Sequence, residues 1–184
     1  MAEHTSIQIE TTPNPRTLKF VTQTELLPAG GRDYPTVDRA LSAPLPKRLF
    51  NLDGVDGVYV GTQFVTVTKM EAVDWQSLAP RVTQEIASHL ASGEPIIGDE
   101  VTQGHAAADG EVSQRIQAVL DEFVRPAVAQ DGGDVVFDSF EDGVVRLHLQ
   151  GACSGCPSAT ATLKMGIQNI LQEQVPEVRE VEQV

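Results

Sequence analysis

Two cysteines, Cys153 and Cys156, are the only thiols in the chain, and both lie in Gly151-Ala152-Cys153-Ser154-Gly155-Cys156-Pro157-Ser158. A disulfide between them would close too short a loop to staple a fold. Their chemistry is therefore redox, metal binding or none. The loop leaves an alternating, strand-like run and enters a helical pattern. In that position the unpaired amides and the positive end of the helix dipole favour thiolate over thiol. The same field suits an anionic, thiolate-ligated metal centre. Gly151 and Gly155 let the backbone curve closely, Pro157 fits the first turn of a helix, and the short Ala152 and Ser154 are expected to leave the sulfurs uncovered.

Four chemistries compete for this pair. A thioredoxin-type dithiol also sits between strand and helix, but only 28 residues follow Cys156, too few for the remainder of such a site. Ala152 also stands where an aromatic residue is usual. Small copper carriers place their CxxC on the first loop of the domain, whereas here it follows a helix and two strands. Structural zinc needs four ligands, and His105 and His148 do not fall at a His-x₃₋₅-His spacing. His148, five residues before Cys153, reads as a solvated or partly packed side chain. An iron–sulfur cluster is normally held by four thiolates, of which one chain supplies half. A second copy across a two-fold axis, giving its own Cys153 and Cys156, is the simplest completion. A cluster at such a seam would be near solvent and able to leave by stepwise thiolate exchange. Thiol–disulfide exchange and a zinc-dependent interaction module remain the alternatives.

The elements around the loop are expected in the order α–β–β–CxxC–α–(β). Val112, Ile116, Val119, Leu120, Phe123 and Val124 mark an amphipathic helix that Pro126 should kink or end. QDGGD then offers Gly132 and Gly133 for a tight turn. Strands are predicted over 134–140 and 143–150 with a turn at Glu141-Asp142-Gly143. In the second, Val145, Leu147 and Leu149 face one way and Arg146, His148 and Gln150 the other. A helix from about Ser158 buries Leu163, Ile167, Ile170 and Leu171, with Pro176 beyond its end. Val178 and Val181 suggest a short last strand.

Upstream, strand signals fall at Ile7–Ile9 and Leu18–Val21, separated by TPNPR. Residues 38–50 look helical but interrupted by Pro44 and Pro46. Val55–Thr68 reads as a hairpin turning at Gly61–Gln63. Asp74 or Ser77 opens a helix with Leu78, Val82, Ile86 and Leu90 on one face. His89 near its end reads as a solvated or C-terminal-turn histidine rather than a ligand. The expected class is α+β: two small mixed domains at 1–97 and 112–184, joined by a Gly-, Ala- and acid-rich flexible tether at 98–111.

The chain has 184 residues and a formal net charge of −13. Residues 99–184 alone carry five basic and fifteen acidic side chains, a net of −10. That balance argues against nucleic acid and anionic membranes as partners. The acid either keeps the protein soluble and monomeric through self-repulsion or steers it to basic patches on partners. No apolar run reaches the ~18 residues of a membrane span, and the opening MAEHTSIQIETTPNP lacks a signal-peptide or Arg-rich presequence pattern. The cytoplasm is the expected compartment, with a processed organellar protein as the alternative. Without a phosphate loop, nucleophile–base pair or paired carboxylates, no enzymatic turnover is expected.

QDGGD, VVRLHLQGACSGCPSATATLKMGIQNILQEQVPEV and their order resemble the C-terminal domain of NifU-type proteins, the Nfu iron–sulfur scaffolds and carriers. TPNPRTLKF, LPKRLF, GVDGVYVG, FVTVTK and DWQSLAP are similar to the Nfu N-terminal domain. The resemblance implies a labile 4Fe–4S cluster, bridged between two protomers by Cys153 and Cys156 and passed to apo-enzymes. It also implies an upstream cluster donor, and an N-terminal domain that recognises clients or that donor.

Overall fold

The structure, a computed structural model, describes residues 6–98, 110–154 and 157–184, the last without the side chains of 157–159. The chain divides into two compact units, Met1–Glu100 and Val101–Val184. The expected tether lies almost entirely on residues outside those described.

In the first unit, five antiparallel strands stand in the order β1-β2-β5-β4-β3: β1 (Gln8–Thr11), β2 (Thr17–Val21), β3 (Arg32–Tyr34), β4 (Val55–Val60) and β5 (Phe64–Lys69). The β4–β5 hairpin forms as its β-branched alternation predicts, with a register shift between Val55 and Gly57. β3 has no sequence signal, because three residues of Arg-Asp-Tyr show no period. A 3₁₀ turn (Val37–Ala40) precedes α1 (Pro44–Phe50). The two prolines thus open that helix instead of interrupting it: their missing N–H groups fall in the first turn, where no intrahelical partner exists.

α2 (Trp75–Ser92) starts after Asp74, and Ser77 returns its hydroxyl to the Asp74 carbonyl at 2.9 Å. Leu78, Val82 and Ile86 pack into a core with Phe20, Leu45, Leu49, Val65 and Val67. His89 is in the last turn of α2 as expected, but it is not solvated: its ring is fully buried, with Nε2 3.0 Å from the Pro95 carbonyl. The carbonyl that meets it lies six residues on, just past the helix end, a contact no helical or strand period announces.

The second unit starts with one long helical segment, made of α3 (Glu111–Val119), a π-helical turn (Leu120–Val124) and α4 (Arg125–Gln130). Pro126 does not end it. Immediately upstream the Arg125 N–H donates to the Leu120 carbonyl, five residues back, so the helix widens by one residue and runs on through the proline. β6 (Gly133–Glu141) and β7 (Val144–Gly151) form an antiparallel hairpin over a two-residue Asp142-Gly143 turn, where φ is 50° and 86°. α5 (Pro157–Gln174) then returns the chain so that β8 (Glu180–Gln183) lies parallel to β7. The alternation in β7 is as read: Val145, Leu147 and Leu149 are buried, and His148 is exposed. Ile116, Leu120, Val124, Ile167 and Leu171 close this core, with Leu163 and Ile170 partly buried against it.

Candidate metal centre

Cys153 sits where β7 gives way to α5. Gly151 ends the strand at φ 64°, a left-handed value that turns the chain out of the sheet. Ser154 tightens that turn, its N–H and its hydroxyl both donating to the Gly151 carbonyl, at 3.1 and 2.9 Å. Ala152 donates its N–H to the Gly132 carbonyl at 3.1 Å, tying the loop to the QDGGD segment. The elbow is therefore held at both ends by backbone hydrogen bonds.

The cysteine itself is not uncovered. Cys153 is only 6 % exposed and belongs to the second hydrophobic core. Ala152 beside it is buried too, and the sheet meets the sulfur at Gly133. A Cβ added to Gly133 would lie 2.6 Å from Cys153 Sγ and 2.7 Å from the Gln150 carbonyl oxygen. The second glycine of QDGGD is there to make room for the thiol, since Gly133 pairs directly with Gly151 across the hairpin. Its role is close approach, not the tight turn expected of it.

Asp134, the next residue, is buried and accepts two hydrogen bonds from Arg125: Nε to Oδ1 and Nη2 to Oδ2, both 2.9 Å. Its Oδ1 also takes the Val135 N–H at 2.8 Å. Arg125 reaches Asp121 one helical turn back, at 3.0 Å. The hydrogen bond to Asp134 raises the guanidinium's pKa above its ordinary value, against the opposing effect of burial, with the two carboxylates adding charge attraction. Stability from a raised pKa is present below the unfolded value and lost only as pH climbs through the folded one, so this contribution holds throughout neutral pH. The fork–fork pair locks the π-turned helix to the start of β6, and so fixes the strand on which Cys153 rests. Neither Arg125 nor Asp134 stood out in the sequence. The only available signal was the acidic residue flanking the two glycines.

Cys156 lies outside the described residues, as do Gly155 and His105. His148 is on the exposed face of β7, with Nδ1 2.9 Å from the Val184 carbonyl and Nε2 3.3 Å from Asp138. Among the described residues, no three or more His, Cys, Asp or Glu side chains gather in a way that could hold a metal ion. Nor is any described helix long and apolar enough to cross a membrane.

Comparison with known proteins covers both units. Residues 7–93 match the family model "Scaffold protein Nfu/NifU N terminal", and residues 116–182, which include both cysteines, match "NifU-like domain". The human protein named "NFU1 iron-sulfur cluster scaffold homolog, mitochondrial" is 46 % identical over 181 residues, covering 97 % of this chain and 71 % of its own length. The protein of the same name in Drosophila sechellia is 43 % identical over 182 residues, with 97 % of this chain and 64 % of its own length covered. The chain thus spans less than two thirds of that fly relative. A solution structure of a NifU-like protein from Saccharomyces cerevisiae is similar over 54 % of this chain and 92 % of its own, at TM-score 0.49 and 26 % identity. With a matched domain in each unit and 46 % identity across nearly its whole length, this chain belongs to the Nfu/NifU family.

Proposed function

We propose that this protein is an iron–sulfur cluster scaffold and carrier, which holds a labile 4Fe–4S cluster between two copies and passes it to apo-proteins. The observation that carries the reading is a thiol, Cys153, buried and held against Gly133 at the elbow before α5, with a second thiol three residues on. Thiolates are the usual donors to iron–sulfur clusters, and four are needed. Two copies related by a two-fold axis supply Cys153 and Cys156 twice. Relatives named as iron–sulfur cluster scaffold homologs support the coarser statement, and the donor count supports the finer one.

Transfer is ligand exchange. Each iron–thiolate bond to this protein breaks as one to an acceptor cysteine forms, the acceptor thiol gives up its proton, and the released cysteine takes one back. The cluster core keeps its electrons throughout, so no oxidant or reductant is consumed. Because Cys153 is buried, iron reaches it by displacing protein contacts. The partners are apo iron–sulfur proteins and an upstream cluster donor. The proposed compartment is the cytoplasm, although the relatives are named mitochondrial; cell fractionation decides between the two.

Anaerobic reconstitution with iron and sulfide is expected to give a brown protein with about four iron atoms per two chains. Cys153→Ser should stay pale. A colourless wild type that reduces disulfides would replace the carrier by an oxidoreductase, and stoichiometric zinc in the protein as purified would replace it by a zinc module. The second unit is near the lower size limit for a self-sufficient core, so a ligand bound only by the folded pair should stabilise it. Its melting temperature is expected to rise by several degrees on loading; an unchanged value would refute that coupling.

A further inference from the structure

We propose that the solvent face of α5 around Met165 and Gly166 is the surface on which a second copy of this chain docks when the cluster is bound. The inference rests on the two-copy reading of the cysteines and adds the face that brings the copies together.

Among the described residues of the second unit, nothing accounts for two adjacent residues of α5. Met165 is 68 % exposed, more than any other large hydrophobic side chain among the described residues. A Cβ built at Gly166 meets no described atom within 4 Å, so no internal packing calls for glycine there. Glycine is a poor helix former, and in a helix interior it usually marks the close approach of something else. With Ala161, Thr162 and Asn169, these residues make one exposed stripe.

Charge identifies the occupant. Residues 99–184 carry a net −10, so two copies repel over most of their surface. The stripe carries little of that charge: from 157 to 172 the only charged residue is Lys164, which lies 3.8 Å from Glu180 on β8, and the first acid of α5 is Glu173. A basic client would be drawn to acidic surface, whereas an equally acidic copy meets little repulsion on this stripe. The helix also starts directly after Cys156, so docking along it joins the two half-sets of thiolates. The site is incomplete without that copy.

The test is sedimentation of the full-length chain after anaerobic loading with iron and sulfide, with no added thiol. Met165→Glu places two like charges in a symmetric contact and is expected to weaken the loaded dimer at least about tenfold, with the apo melting temperature unchanged. Gly166→Ala should raise the apo melting temperature through helix propensity and yet weaken the loaded dimer. Met70→Glu adds the same charge at a methionine 47 % exposed in the other unit and should leave the dimer intact. A Met165→Glu chain that dimerises like wild type overturns the assignment, as does an equal loss in Met70→Glu. Retained dimerisation with lost delivery to an apo-acceptor would hand the face to a client instead. A wild type that takes up no cluster would sink the carrier reading itself, a different result from any of these.

Discussion

Gly133→Ala is expected to abolish most cluster binding and to destabilise the second unit by about 1–3 kcal/mol, the usual cost of forcing extra volume into a packed core. The added Cβ would lie 2.6 Å from Cys153 Sγ and 2.7 Å from the Gln150 carbonyl oxygen. Either way of relieving the contact harms the site. Rotating the cysteine moves the sulfur from the position the elbow gives it. Separating the strands breaks the first pair of the hairpin, Gly133 with Gly151, and with it the turn that presents the loop. Iron content after anaerobic reconstitution and thermal unfolding of the apo-protein measure the two effects separately. An alanine variant that binds the wild-type complement of iron would show that the sulfur does not work from this position. One that binds no iron at wild-type stability would place the whole effect at the thiol.

The second large effect is expected from Asp134→Ala. The Arg125 and Asp134 side chains are 19 % and 8 % exposed, so deleting the carboxylate strips a largely buried guanidinium of its two-point partner. Breaking a buried pair from one side costs about 3–5 kcal/mol, much of it the stranded charge. The Val135 N–H loses its acceptor as well. Replacing both partners, Arg125→Met with Asp134→Leu, should recover most of the loss, because no charge is left behind. Urea unfolding followed by far-UV circular dichroism measures this. Trp75, the one tryptophan, lies in α2 of the first unit, so its fluorescence midpoint serves as an internal control and should stay put. A shift of less than about 1 kcal/mol in the second unit would mean that water already satisfies the pair, as at exposed sites.

Elements with a strong local period were legible before any coordinates. The β7 alternation, the α5 stripe, the β4–β5 hairpin and α2 all formed where their residues indicated. Signals read from single residues did less well. Pro44 and Pro46 read as interruptions and are a helix start, while Pro126, which reads as a kink or an end, follows a π turn through which the helix continues. In both cases the cost of proline depends on whether the missing N–H had a partner to lose, which a residue type does not state. His89 shows the same limit, since a helix-end position does not state that its ring is buried with Nε2 against the Pro95 carbonyl.

The sequence by itself determined the donors available: two thiols per chain, three residues apart, between a strand pattern and a helix pattern, in an acidic protein. Those are counts, spacings and periods, written along the chain. Only the tertiary structure decided that Gly133 makes room for the sulfur of Cys153 twenty residues later, and that Arg125 pairs with Asp134 at the start of the same strand. Close approach and burial depend on which backbone segments meet in space. A hairpin register and a helix end must form before either exists.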